Sequence, residues 1–218
     1  MDTNAKGISD AAQKDITELK AKIAAFQSGE IPEDRFTLFR LTRGVYGQRQ
    51  PGVQMIRIKI PYGKVTAKQL RKIAEVSETF TNGNLHLTTR QDIQLHYVHV
   101  DDAPKLWEEL ETASVTLREA CGNTVRNITG SATAGIDPQE PFDISPYAEA
   151  MFQFFLRNPI CQEMGRKIKI AFSSNEQDTA FIQLIRKPFQ RIFIKFVIKI
   201  KQEVKASDNI LGINGYFT

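Results

Sequence analysis

The chain has 218 residues, of which 41% are hydrophobic and 25% charged, with a net charge of +4. That length suits one domain or two small ones with a real core, and the composition is ordinary for a soluble globular protein. The mild positive balance fits an anionic ligand and is too weak to argue for nucleic acid, and no run of about 18 apolar residues is present to span a membrane. The N-terminus lacks the apolar stretch of a signal peptide. Cys121 and Cys161 are the two cysteines, spaced like no zinc or redox motif, and they read as free thiols. The expected location is the cytoplasm.

Along the chain, Ile16, Leu19, Ile23 and Phe26 recur at helical spacing and predict an amphipathic helix over about Ile8 to Phe26. Ser28-Gly29-Glu30-Ile31-Pro32 stops it. Residues 36–50 read as a Gly- and Gln-rich loop, with Gly44 and Gly47 permitting close backbone approach around Tyr46. Val53 to Ile60 then alternates: Ile56, Ile58 and Ile60 on one face, Arg57 and Lys59 on the other. Thr66 is a good N-cap for a helix carrying Leu70, Ile73 and Val76. After the turn Thr81-Asn82-Gly83-Asn84 come two short strands, Leu85 to Thr88 and Ile93 to Val100. The first sets Leu85 and Leu87 toward a core and His86, Thr88 and Arg90 away from it.

Asp101-Asp102 should cap a helix through about Leu110 or Thr112, and Thr124 to Ile128 could supply a closing strand. The order β-α-β-β-α-β predicts an α+β ferredoxin-like sandwich behind an N-terminal helix. Ser145 opens a further helix with Ala148, Met151, Phe152 and Phe155 on one side, and Lys167 to Phe172 reads as a strand. These belong to the start of a second α+β domain. Residues 182–218 turn rich in Ile, Lys and Phe, with a crude strand-like alternation over Ile192 to Lys201. A natural terminal strand is one reading, and a reading-frame change that replaced the original continuation is the preferred one. The chain therefore divides as 1–35 helical segment, 36–115 half domain, 116–181 start of the next domain and 182–218 atypical tail.

Arg57, Arg126, Lys167 and Lys169 come from three separate segments, and Lys167 and Lys169 share a face. By residue type alone, four such cations are more often scattered surface charges than a site. Brought together away from water, they would bind a small oxyanion strongly. His96 and His99 sit among no Asp, Glu or Cys cluster, so no metal site is expected from side chains.

Five motifs in order carry a resemblance. They are Gly44-Val45-Tyr46-Gly47-Gln48-Arg49-Gln50; Arg57-x-Lys59-x-Pro61; Leu87-Thr88-Thr89-Arg90-Gln91 with Gln94; Asn123-Thr124-Val125-Arg126-Asn127; and Gly165-Arg166-Lys167-Ile168-Lys169. From about Phe36 to about Phe181 the chain resembles the first half of the sirohaem-dependent sulfite and nitrite reductases. That resemblance implies a six-electron reduction of sulfite or nitrite at a sirohaem and [4Fe-4S] centre. It implies Arg57, Arg126, Lys167 and Lys169 as ligands of the substrate anion. It implies Arg90, Gln94 and Arg166 as contacts of the sirohaem carboxylates, with His86 at a position where some members carry Arg. The electron donor would be a ferredoxin or a flavoprotein. Lys at both 167 and 169 leans toward sulfite, because sulfite can carry two charges where nitrite carries one. The cluster cysteines of the family lie in a second half, in C-x5-C and C-x3-C motifs that Cys121 and Cys161 do not match, so the chain is expected to lack the cluster ligands and to be inactive alone. A non-catalytic fragment or anion-binding module is the alternative. A ferredoxin-like RNA binder would show aromatic residues on its central strands, and these strands offer Arg57, Lys59, His86 and Arg90 instead.

Overall fold

A computed structural model describes residues 3–175 and the backbone of 193–196. Helix α1 (Asp10–Gln27) starts where Ser9 Oγ accepts from the Ala12 amide, and buries Ile16, Leu19 and Ile23. Gly29, at φ +78°, turns the chain after it. The expected loop that follows is ordered instead. Glu33–Leu41 form α2, opened by Pro32 at the N-cap with Glu33 and Asp34 in the first turn, and Val45–Gly47 form a short strand, β1.

β1 sits at one edge of a four-stranded antiparallel sheet ordered β1-β2-β4-β3, with β2 Val53–Ile58, β3 His86–Leu87 and β4 Ile93–His99. This corrects the expected closing strand. Thr124 to Ile128 does not join the sheet; that edge is filled from the N-terminal side, where the Arg57 amide donates to the Gly44 carbonyl at 2.8 Å. A Cβ on Gly44 would lie 2.7 Å from the Arg57 carbonyl and 2.8 Å from that of Leu117, so the close approach read from this glycine is real.

Helices α3 (Ala67–Phe80) and α4 (Ala103–Glu111) cross the sheet's apolar face, where Ile56, Ile58, Ile93 and Leu95 meet Ile73, Leu106, Trp107 and Leu110. Thr66 and Gln69 close a reciprocal capping box at the start of α3. Leu70, expected on the buried stripe, is half-exposed, and the buried face runs through Ile73, Val76 and Ser77. Leu85 and Leu87 also depart from the alternation: Leu87 is 74% exposed, because β3 is two residues long at the sheet's outer edge. Asp102 makes no side-chain cap; a 3-10 turn, Val100–Asp102, leads into α4 and Asp101 accepts from Gln27 at 2.7 Å.

A second core gathers Val125, Ile128, Ile144, Ala148, Phe152, Ile170 and Phe172 around α5 (Ser145–Phe155) and β5 (Lys169–Phe172). Residues 124–129 run beside β5: Ile168 donates to Thr124, Arg126 to Ile168, Thr129 to Ile170 and Phe172 to Thr129, all at 2.8–3.1 Å. The backbone of β6 (Phe193–Phe196) pairs parallel with β5. The other expectations for residues 182–218 lie outside the described residues. No helix among the described residues is long and apolar enough to cross a membrane.

Candidate functional site

The two cores meet at the turn Thr88–Asp92. Thr88 and Asp92 close it by a backbone hydrogen bond of 2.9 Å, and the Thr88 hydroxyl accepts from the Arg90 and Asp92 amides. Gln91, held at φ +58°, turns its amide onto Gly130: Nε2 donates to the Gly130 carbonyl at 2.7 Å and Oε1 accepts from its N–H at 3.0 Å. Arg90 crosses in the same direction. Its guanidinium donates to the Asn127 carbonyl, to Ile170 at 3.2 Å and to the Thr129 hydroxyl at 3.3 Å. Asn127 answers by donating to the carbonyls of Ile60 at 2.7 Å and Arg90 at 2.9 Å. Burial lowers the Arg90 pKa to about 10.

On the sheet face away from α3 and α4, Arg57, Gln94 and His86 stand in register across β2, β4 and β3. With its amide oxygen turned toward Arg57, Gln94 accepts from Nε at 3.2 Å and from Nη2 at 2.5 Å, which aims the guanidinium. His86, further out, is exposed and stacks on His96 with ring centroids 5.9 Å apart.

Arg57, Arg126, Lys167 and Lys169, the four cations expected to bind an anion, line one cavity of about 140 Å³ together with Arg90 and Asp92. The parallel pairing of residues 124–129 with β5 brings them there. Ile168 and Ile170 turn inward, so Lys167 and Lys169 stand on the other face, beside Arg126. Arg126 Nε donates to the Ala120 carbonyl at 3.0 Å, and burial, ahead of the opposing influence of Cys121, lowers its pKa. Arg166 is exposed and does not line the cavity.

Lys59 is not part of this site. The expected basic face of β2 is split: Lys59 is 4% exposed, reaching Glu119 at 3.4 Å and the Val125 carbonyl at 3.5 Å, with burial lowering its pKa. Asp92 was not singled out from the sequence. It is 1% exposed, and neither carboxylate oxygen has a hydrogen-bond partner among the described residues. Burial raises its pKa to about 6 against the pull of Arg57, Arg126, Lys59 and Arg90. Its position two residues from both Arg90 and Gln94, on the polar side of the alternation, was the available signal.

Comparison with known proteins agrees with this architecture. The Nitrite/Sulfite reductase ferredoxin-like half domain family matches residues 46–113. The assimilatory ferredoxin-dependent nitrite reductase of Haloferax mediterranei is 37% identical over 166 residues, covering 69% of this chain and 28% of that protein. Sulfite reductase (ferredoxin) 1 of Mycolicibacterium paratuberculosis is 31% identical over 134 residues, covering 59% and 24%. The solved structure of the Mycobacterium tuberculosis NirA protein superposes with a TM-score of 0.63 at 22% identity, covering 79% of this chain and 38% of that one, a likeness of fold. The chain spans about a quarter of the length of the curated relatives it matches. It belongs to the nitrite/sulfite reductase family, with the ferredoxin-like half domain at its centre.

Proposed function

We propose that this chain supplies the oxyanion-binding side of a sulfite or nitrite reductase centre, with Arg57, Arg126, Lys167 and Lys169 as ligands of the anion. The observation that carries this reading is the convergence of these four cations, from β2, the 124–129 segment and the β5 side, on one small cavity. A water molecule takes up about 30 Å³, so the space suits a small oxyanion and excludes a nucleotide. Guanidinium and ammonium groups held by the protein are already oriented toward an anion and toward oxygens leaving as water. The lysine ammonium groups can also give up a proton, which arginine does far less readily. Lys at both 167 and 169 favours sulfite over nitrite.

Sirohaem, the cofactor that the family likeness implies, is ringed by carboxylates. Arg166 and His86 are exposed and suit them, whereas Gln94 and Arg90 act behind that rim, one aiming Arg57 and the other spent on backbone carbonyls. When bound, sirohaem would pass electrons to the anion, six in all for sulfide or ammonia, from a ferredoxin or a flavoprotein. A cubane cluster takes about four thiolates. Cys121 and Cys161 are the two in this sequence, and both are buried. We therefore assign the cluster's ligands to another polypeptide segment, and turnover to the assembly rather than to this chain alone. As a non-catalytic module the chain would keep its anion site.

Titration of the chain with sulfite and with nitrite at low ionic strength tests the reading. Binding should weaken with salt, favour sulfite, and fall about 100-fold in Arg57→Ala or Arg126→Ala, from roughly 3 kcal/mol per lost cation. Affinity unchanged in both variants would overturn it.

A further inference from the structure

Asp92 places a carboxylate inside a cavity whose other polar lining is cationic. If the cavity existed only to collect positive charge, an acid there would weaken it. Two observations make this acid more than a structural partner. It is almost fully buried, and neither of its oxygens is used by a hydrogen bond among the described residues. The cations around it are otherwise engaged: Arg57 with Gln94, Arg90 with three backbone and hydroxyl oxygens, Arg126 with Ala120, Lys59 with Glu119.

We propose that Asp92 is the pocket's own counter-ion, and that it takes up a proton from solvent when an oxyanion enters among Arg57, Arg126, Lys167 and Lys169. The inference rests on the anion-site reading above. Two negative charges in a space this small cannot both persist, and the entering anion raises the proton affinity of the acid already there. The empty site is then balanced by its carboxylate, and the filled one by the anion, with Asp92 neutral. One anion and one proton enter together, with no bond made or broken except the new O–H. This leaves a proton stored beside the place where the anion's oxygens would depart as water.

The groups facing Asp92 are Arg57 from β2 and Lys59 just after it, Arg90 on its own turn, Arg126 and Cys121 from the following segment, and Lys167 and Lys169 from the β5 side. Burial lowers the pKa of Lys59, Arg90 and Arg126 and raises that of Cys121, which keeps it a thiol. Burial holds the Asp92 carboxyl at about 6, so below neutrality a modest push protonates it. Burial lowers the pKa of His96, and the variant below separates that imidazole from Asp92.

Nitrite is the probe, since it stays a monoanion from about pH 5 upward. Calorimetric titration of the chain in buffers of different ionisation heat should give uptake of close to one proton per nitrite at about pH 7. Affinity should fall toward tenfold per pH unit between about pH 6.5 and 8. Asp92→Asn should bind nitrite with little pH dependence and more tightly than wild type at about pH 8, with proton uptake reduced to any share from His96. Nitrite binding without proton uptake in the wild type, or equal uptake in Asp92→Asn, overturns the inference and leaves the anion site standing. No nitrite binding by the wild type overturns both. The wild-type measurement stands even where the variant fails to fold.

Discussion

Asp92→Asn should make the protein more stable at neutral pH, although it removes a charge from the midst of cations. The carboxyl has a folded pKa of about 6 against 3.8 as the reference value. Desolvation therefore outweighs the attraction of Arg57, Arg126, Lys59 and Arg90. The rise from 3.8 to about 6 corresponds to about 3 kcal/mol. Because the folded pKa is raised, the native state binds more protons than the unfolded one between these values. The protonated form's contribution is fully present below about pH 4 and is lost as pH rises through about 6. Asparagine keeps the size and removes the titration. Its advantage over wild type should be about 3 kcal/mol at pH ~7.5 and about half that at pH ~5. Urea unfolding of both proteins at the two pH values reads this directly, through the midpoint at unchanged slope. A variant less stable than wild type at pH ~7.5, or a gap that widens on acidification, would refute the reasoning.

Two further substitutions test the joints around the site. Glu119 accepts from the Arg157 amide at 2.8 Å and from Gln162 at 2.7 Å while facing buried Lys59 at 3.4 Å. Glu119→Ala strands that ammonium and should cost about 3–5 kcal/mol in urea unfolding, and a loss under ~1 kcal/mol would mean that the pair is not closed in solution. Gly63 sits at φ +73°, where a Cβ would lie 2.9 Å from Cδ of Gln91. Gly63→Ala should cost about 1–3 kcal/mol and speed hydrogen exchange at the Gly130 amide, which Gln91 holds; unchanged exchange would refute the role given to that contact.

The helices were legible because their apolar residues repeat over several turns: Ile16, Leu19 and Ile23 in α1, Ile73 and Val76 in α3. β1 was not, since Val45-Tyr46-Gly47 is too short to display an alternation and is bounded by glycine. α2 carried signals that went unread, Pro32 with Glu33 and Asp34 at its start. The four cations could be named from motifs, but no local spacing brings Arg126 to Lys169. That meeting depends on backbone hydrogen bonds between residues 124–129 and 168–172. Arg90 was named too, and its partners are backbone carbonyls, which side-chain identity does not encode. Asp92 stayed hidden for the opposite reason: an acid on a polar face is ordinarily solvated, and only the second core, packed over it, takes the water away.

The edge filled by β1 bears on how independent the half domain is. The family match begins at residue 46 and ends at 113. Yet the same core takes Ile16, Leu19 and Ile23 from α1, Phe36 from α2, Val45 from β1, and Val115 and Leu117 beyond α4. A piece cut at the match boundaries would keep β2, β3 and β4 with two residues of β1, and would lose Gly44, Val45 and the helix that lies along α4, leaving β2 with a half-covered edge and a bare apolar flank. The half domain recognisable by descent is thus smaller than the unit that shares one packed core. The segments before residue 46 are its missing wall, and they inherit its tolerance for change only where they do not touch that core.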